Sequence, residues 1–420
     1  MPIAVYVLGL SVFALGTSEF MLSGLLQPLA RDLGVSIPKA GLLVSAFAVG
    51  MVVGAPVLAA ATLRLPRRTT LIALLAVFGL GQIAGALAPT YNVLFVSRVV
   101  SALACAGFWA VGAAVAVSLV PVTARARAMA VMVGGLSIAN IAGVPAGAFL
   151  GQHAGWRAAF WAVAGLSVLG LVGVIALVPR TAPATGDDAP SLRRELLIYR
   201  DRQVWLALVT TALNGAAVFA LFSYLGPLLT DSAGLKESWV PTVLGLFGVG
   251  ALIGTAIGGR FADAHLFGTI YGGIAASTAV LTLLALTAHW PVAAVTLSLL
   301  LGVTAFATAP ALNARMFNVA SAAPTLAGAT TTSAFNIGNT VGPWLGGLVI
   351  GAGWGYSAVA WTAAAMAALA VGMTAVSSRI HQRTPSAETG SRVVATSTPE
   401  PATTPATCST VTAQETCPAP

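Results

Sequence analysis

Charge is what this sequence holds least of. Among its 420 residues only 8% are Asp, Glu, Lys or Arg, against about 25% in an ordinary soluble domain. So little charge cannot cover a water-soluble surface. Cysteine is scarce too: Cys105, Cys408 and Cys417 form no closely spaced set, which argues against a disulfide framework or a thiolate metal site. His153, His265, His289 and His381 are scattered through loops and the last segment and make no ligand cluster. No cofactor is expected. There is no phosphate-loop pattern, and outside a central linker and the last segment no loop exceeds about 15 residues, so a nucleotide-binding domain has no place. No clustered catalytic set occurs, and the chain does not read as an enzyme.

Apolar length is what the sequence does have. Hydrophobic residues make up 57% of it, in runs of about 20, the length a helix needs to cross a bilayer. Twelve runs are expected, at roughly 4–28, 41–62, 70–88, 93–119, 128–150, 158–178, 204–229, 241–258, 268–288, 291–313, 328–352 and 357–377. The first has no basic start and is too long for a secretory leader, so it reads as a retained span. The 45 Gly and 23 Pro would weaken soluble helices, but membrane spans tolerate both and small residues let helices approach. The expected fold class is an all-α membrane protein embedded in lipid.

The net charge of +8 reports topology rather than a nucleic-acid partner. With the N-terminus inside, fifteen basic residues, including Arg67, Arg68, Arg125, Arg127, Arg260, Arg315 and Arg379, fall on the inner side. Only Arg31, Lys39, Arg157 and Lys236 fall on the outer side. The positive-inside rule then puts both termini in the cytoplasm and the chain in the cytoplasmic membrane.

Segments separated by roughly 200 residues repeat, the pattern of a duplicated six-span half. Gly143-Val144-Pro145 matches Gly342-Pro343, and Gly155-Trp156-Arg157 with Phe160-Trp161 matches Gly353-Trp354-Gly355-Tyr356 with Trp361. Expected domains are a six-helix half over 1–178, a polar cytoplasmic linker over 179–203, a second half over 204–378 and a disordered tail over 379–420.

Two charges interrupt the apolar runs. Glu19 is the one acid within a span, and Arg98 is the one base at comparable depth. By helical rise they lie roughly 14 Å and 9 Å from the outer ends of their spans, close enough for an arginine to bridge if the helices are neighbours. A lone carboxylate in hydrocarbon is costly, so it faces a wet cavity, pairs with a cation or carries protons. A static helix-locking ion pair is the alternative. Helical spacing places Phe20, Ser23 and Gln27 near the Glu19 face. Asn140, Asn214, Phe219, Tyr224, Asn336 and Asn339 are polar or aromatic residues in otherwise aliphatic spans, available to a substrate or to a neighbouring helix.

These motifs resemble the major facilitator superfamily, and within it the twelve-span drug:proton antiporters. Arg98-Val99-Val100-Ser101-Ala102-Leu103-Ala104 resembles the fourth-span motif whose Arg is implicated in proton coupling. Gly135, Gly143, Pro145, Gly147 and Gly151 resemble the fifth-span motif of exporters. Gly143 and Gly147, four apart with Pro145 between them, are expected to let the fifth span close against its neighbour across the half interface. Gly259-Arg260-Phe261-Ala262-Asp263 resembles the family's loop motif. Its first-half copy departs, with Leu63 at the acidic position and Pro66 at the glycine, leaving the inner gate to Asp263 or to helix ends. The run from Gly16 to Leu25, with Ser45-Ala46-Phe47 and Ala323-Pro324-Thr325, looks like bacterial chloramphenicol-resistance exporters. Cys105 and Asn313 stand where that resemblance leads one to expect Asn and Thr. It implies a major facilitator fold of two six-helix halves, and proton-driven efflux of small amphipathic drugs, with a sugar or other small metabolite as the alternative cargo. The expected partners are that cargo, protons and lipid, with the chain acting as a monomer.

Overall fold

Twelve long helical segments cross the molecule in alternating directions in the computed structural model, which describes residues 1–62, 65–121, 124–179, 199–320 and 324–383. Span 1 is Ile3–Phe20, span 2 Ile37–Thr62, span 3 Arg67–Ala86, span 4 Tyr91–Ser118 and span 6 Trp156–Leu177. Span 5 runs from Arg125–Ile138 through a π-helical turn, Ala139–Gly143, into Val144–Ala154. The second half has span 7 at Arg202–Ser223, span 8 at Val240–Ala264, span 9 at Leu266–Thr287, span 11 at Pro324–Gly351 and span 12 at Gly355–Arg383. Span 10 joins Pro291–Ala307 to Ala309–Val319. Among the described residues, eleven segments are long and apolar enough to span a membrane. Span 11, a helix of 28 residues, reaches about 42 Å at 1.5 Å per residue.

Helices are the form in which these runs satisfy their own backbone groups away from water. Glycine at positive φ makes the tight turns of the repeat, with Gly155 at φ 81° before span 6 and, before span 12, Gly353 at φ 82° next to Trp354 and Gly355 at φ 76°. That requirement accounts for the duplicated Gly-Trp element. Large apolar side chains point outward all round, Leu80, Leu169 and Val292 among them, as a surface solvated by lipid allows.

Packing repeats as well. Span 1 packs on spans 5 and 6, span 2 on span 4, and span 3 on spans 4 and 6. In the second half, span 7 packs on span 11, span 8 on span 10 and span 9 on span 10. Spans 2 and 11 meet across the halves, and so do spans 5 and 8. These two seams are counterparts under the duplication.

Several expectations need correction or fall outside the described residues. Span 10 does not end near 313: its helix continues to Val319, which places Arg315 inside the protein rather than in a loop. Its guanidinium is buried, donates to Gln203 Oε1 at 3.0 Å and to Ser377 Oγ, and lies 4.6 Å from the Phe267 ring centre. The helix can carry the charge there because three neighbouring spans solvate it. Leu63 and Arg64, most of the linker and the tail from 384 lie outside the described residues, as does the side chain of Asp263.

Candidate functional site

The end of the molecule carrying Met1 is called the near end and the opposite one the far end. At mid-depth, span 1 presents Ser18, Glu19 and Phe20 in its last α-helical turn, before the helix tightens into a 3₁₀ turn over Met21–Gly24. Glu19 is half-buried although protein surrounds it. Its carboxylate makes no hydrogen bond or ion pair with any described residue. Those facts together mean that its oxygens face space that solvent can enter.

Arg98 is its charged neighbour, yet the two are not ion-paired. Instead, Arg98 Nη1 donates to the Ser18 carbonyl at 3.0 Å and to Ser18 Oγ at 2.8 Å. The guanidinium carbon lies 4.2 Å from the Phe47 ring centre, on span 2, a cation–π contact worth roughly 2 kcal/mol when desolvated. Behind it, Ser18 Oγ donates to Gln82 Oε1 at 3.1 Å, and Gln82 Nε2 donates to Ser101 Oγ at 3.2 Å. Arg98 Nε and Nη2 are buried with no acceptor among the described residues. Buried Cys105 lies two turns beyond Arg98 and within the field of both charges.

Phe20 stacks on Phe219 of span 7, with ring centres 5.4 Å apart and planes 25° apart. From there a chain of ring contacts runs through Phe222, Phe247 and Phe306 into spans 8 and 10. Ser23 and Gln27 lie farther out, in a far-end cleft of about 470 Å³ also lined by Arg31, Asp32, Gln152 and Glu237.

The asparagines divide. Asn336 and Asn339 share a face of span 11 and are buried, each with its Oδ1 unmatched by a donor. Asn214 faces span 10, where its Nδ2 donates to Thr308 Oγ1 at 3.2 Å. Asn140 bonds back to the Leu136 carbonyl at 3.2 Å, within its own helix. Tyr224 is enclosed: its hydroxyl donates to the Pro343 carbonyl at 2.9 Å, and Gly41, Gly346 and Gly347 leave room for the ring. It pins spans 2, 7 and 11 rather than facing a cavity.

The fifth-span glycines do not meet a neighbour across the half interface. A Cβ on Gly143 would lie 2.1 Å from Thr17 Oγ1, and one on Gly147 would lie 3.1 Å from the Met21 Cβ, both in span 1 of the same half. Pro145 does face the other half, 3.4 Å from where a Cβ on Gly245 would be. The close approach across that seam is supplied by span 8, where a Cβ on Gly248 would come 2.6 Å from the Asn140 carbonyl oxygen. A helix has only one face per glycine stripe, and here that face is used by span 1.

The polar links between the halves cluster from mid-depth to the far end. Gln27 Nε2 donates to Thr230 Oγ1 at 2.8 Å and to Asp231 Oδ1 at 3.2 Å. Arg31 pairs with Glu237 at 2.9 Å, Gln152 Nε2 donates to the Glu237 carbonyl, and Ser45 Oγ donates to the Thr340 carbonyl at 3.0 Å.

Gln82, the Ser18 hydroxyl, Ser101 and Phe47 were not singled out in the sequence as parts of this site. Gln82 carried a usable signal, as the one side-chain amide in an otherwise apolar third span.

Known proteins place this arrangement. The pattern described as Major Facilitator Superfamily matches residues 8–335. A chloramphenicol resistance protein of Streptomyces lividans is 40% identical over 374 residues, covering 88% of this chain and 95% of that protein. The inner membrane transport protein YdhP of Escherichia coli (strain K12) is 39% identical over 372 residues, covering 89% and 95%. Among solved structures, a bacterial homologue of the human lysosomal transporter Spinster superposes with a TM-score of 0.76 at 16% identity, covering 90% of this chain and 97% of that one. The nucleoside transporter NupG gives 0.73 at 12% identity, covering 89% and 99%. With two packed six-helix halves and these relatives, the chain belongs to the major facilitator superfamily of membrane transporters.

Proposed function

We propose that this protein exports small amphipathic drugs across the cytoplasmic membrane in exchange for protons, and that an amphenicol antibiotic is among its cargoes. The observation that carries the reading is Glu19, a mid-span carboxylate open to solvent-accessible space beside a guanidinium it does not bind. A carboxyl group so placed is pulled toward its neutral form by a dry surrounding and toward its charged form by the cation, so a change in access between the two membrane faces can load and release a proton. One pH unit across the membrane supplies about 1.4 kcal/mol per proton, enough for a tenfold cargo gradient.

The positive-inside distribution makes the near end cytoplasmic. The Gln27, Arg31 and Gln152 links then close the outer end, which fits a conformation open toward the cytoplasm. The stacked Phe20 and Phe219 would meet the cargo's apolar part, with Ser23 and Gln27 on the exit side, and Asn140, Asn336 and Asn339 on spans that form the seams and Asn214 beside span 10 as polar candidates. Pro145 in span 5 and Asp263 in span 8 are the proposed gating positions, with Gly143 and Gly147 acting through span 1. Glu19 is the one acid at mid-depth among the described residues, which favours neutral or zwitterionic cargo over dications. The printed name of the Streptomyces lividans relative supports the amphenicol.

Inside-out vesicles test this. An imposed pH gradient, acid inside, should drive accumulation of labelled chloramphenicol that collapses with a protonophore. Accumulation that ignores the gradient removes the exchange, and accumulation of sugars but not chloramphenicol removes the drug.

A further inference from the structure

The Ser18 hydroxyl has one proton to give, and the structure determines where it goes. Gln82 Nε2 donates to Ser101 Oγ, which turns Gln82 Oε1 toward span 1, and Ser18 Oγ donates to that oxygen. All that Ser18 Oγ can then offer Arg98 is a lone pair, and Arg98 Nη1 takes it together with the Ser18 carbonyl. Ser18, Gln82, Arg98 and Ser101 are all buried, so water cannot replace any of these bonds.

This relay explains an otherwise costly arrangement. Arg98 keeps two buried guanidinium nitrogens, Nε and Nη2, without an acceptor among the described residues, and the neighbouring Glu19 carboxylate has no donor among them. Opposite charges attract strongly in a low-dielectric interior, so a specific grip must hold them apart. We propose that Gln82 is a positioning residue for the Glu19–Arg98 pair: by fixing the Ser18 hydroxyl, it parks the guanidinium on Ser18 and Phe47 and off the carboxylate. The inference rests on the reading of Glu19 as the proton carrier. Arg98 and Cys105, both on span 4, are the titratable groups within the field of Glu19 among the described residues.

Gln82→Leu removes both ends of the relay at similar volume. The released guanidinium swings to Glu19 and favours its charged form, so the pH profile of gradient-driven chloramphenicol export should move to lower pH by about one unit. Ser18→Ala should move it the same way. Because Gln82 acts through Ser18, the double variant should shift no further than the single ones. A lower rate with an unmoved profile in Gln82→Leu overturns the proposal, as do additive shifts in the double variant. If Gln82→Leu does not reach the membrane, Ser18→Ala alone decides: an unmoved profile overturns the parked-arginine arrangement. Glu19→Gln is measured beside them. Active export by Glu19→Gln sinks the coupling reading itself, whereas an inert Glu19→Gln with an unmoved Gln82→Leu profile sinks only the positioning role.

Discussion

Glu19 and Arg98 are each adjacent in space to the group that would neutralise it, and each is left with hydrogen-bonding capacity to spare. A pair that served only to lock helices would have closed. Removing Arg98 takes away the positive charge that favours the carboxylate, so Arg98→Ala should shift the pH optimum of export upward by about one unit. A profile that overlays the wild type contradicts the coupling. At the far end, Asp32 is a different kind of acid. Hydrogen bonds from Trp156 at 2.9 Å and from Arg157 hold it below the usual carboxylate range. With its folded value depressed, its stabilising contribution is present above about pH 4, the unfolded value, and is lost as pH falls through the folded value. Detergent-solubilised wild type should therefore lose thermal stability between about pH 5 and 3, and Asp32→Asn should lose less over that range. Equal slopes would refute this. The isolated charges were legible from composition alone, because each stands out in an apolar run. What Arg98 binds, and what holds that partner in place, was not, since Ser18, Phe47 and Gln82 come from three spans and their convergence is a property of packing. Arg315 misled for the same reason: a base near a span end reads as a loop residue until neighbouring helices are seen to solvate it.

Among the helices, span 5 carries two functions on two faces. Its glycine face nests span 1, and its Pro145 face meets span 8, with the π-helical turn Ala139–Gly143 between them as a place where the backbone ladder is already interrupted. Such turns are frequent at functional sites. The two glycine contacts should fail differently. Gly143→Leu drives a side chain into Thr17 inside one half, so the expected outcome is a less stable protein, with roughly 1–3 kcal/mol of overpacking cost. Gly248→Leu drives one into the Asn140 carbonyl across the seam, so the protein should insert and remain stable while export stops. Thermal stability and transport measured on both variants separate the cases. Normal transport in Gly248→Leu would show that the seam need not close. Sequence marked the fifth-span glycines because their motif is recognisable, but the identity of the partner helix depends on how the six spans wind, which no local spacing encodes.

At the level of the whole molecule, the duplication seen as scattered Gly, Pro and Trp matches became two sets of corresponding helix contacts joined by two corresponding seams. Twelve spans were legible because bilayer thickness fixes their length. The far-end links were not, because Gln27, Arg31, Gln152 and Glu237 are ordinary surface types until the halves come together. If those links hold the outer mouth shut, a cysteine pair replacing Arg31 and Glu237, joined by a short bifunctional reagent, should stop export, and cleaving the reagent should restore it. Undiminished export by the cross-linked protein would mean that this end does not open.

Proton exchange through Glu19 is the claim on which the rest depends. The most direct measurement compares wild type and Glu19→Gln in vesicles, following chloramphenicol transport driven by a pH gradient alongside binding of the drug at equilibrium. The account predicts that Glu19→Gln still binds chloramphenicol but does not respond to the gradient; gradient-driven transport by Glu19→Gln at the wild-type rate would contradict it.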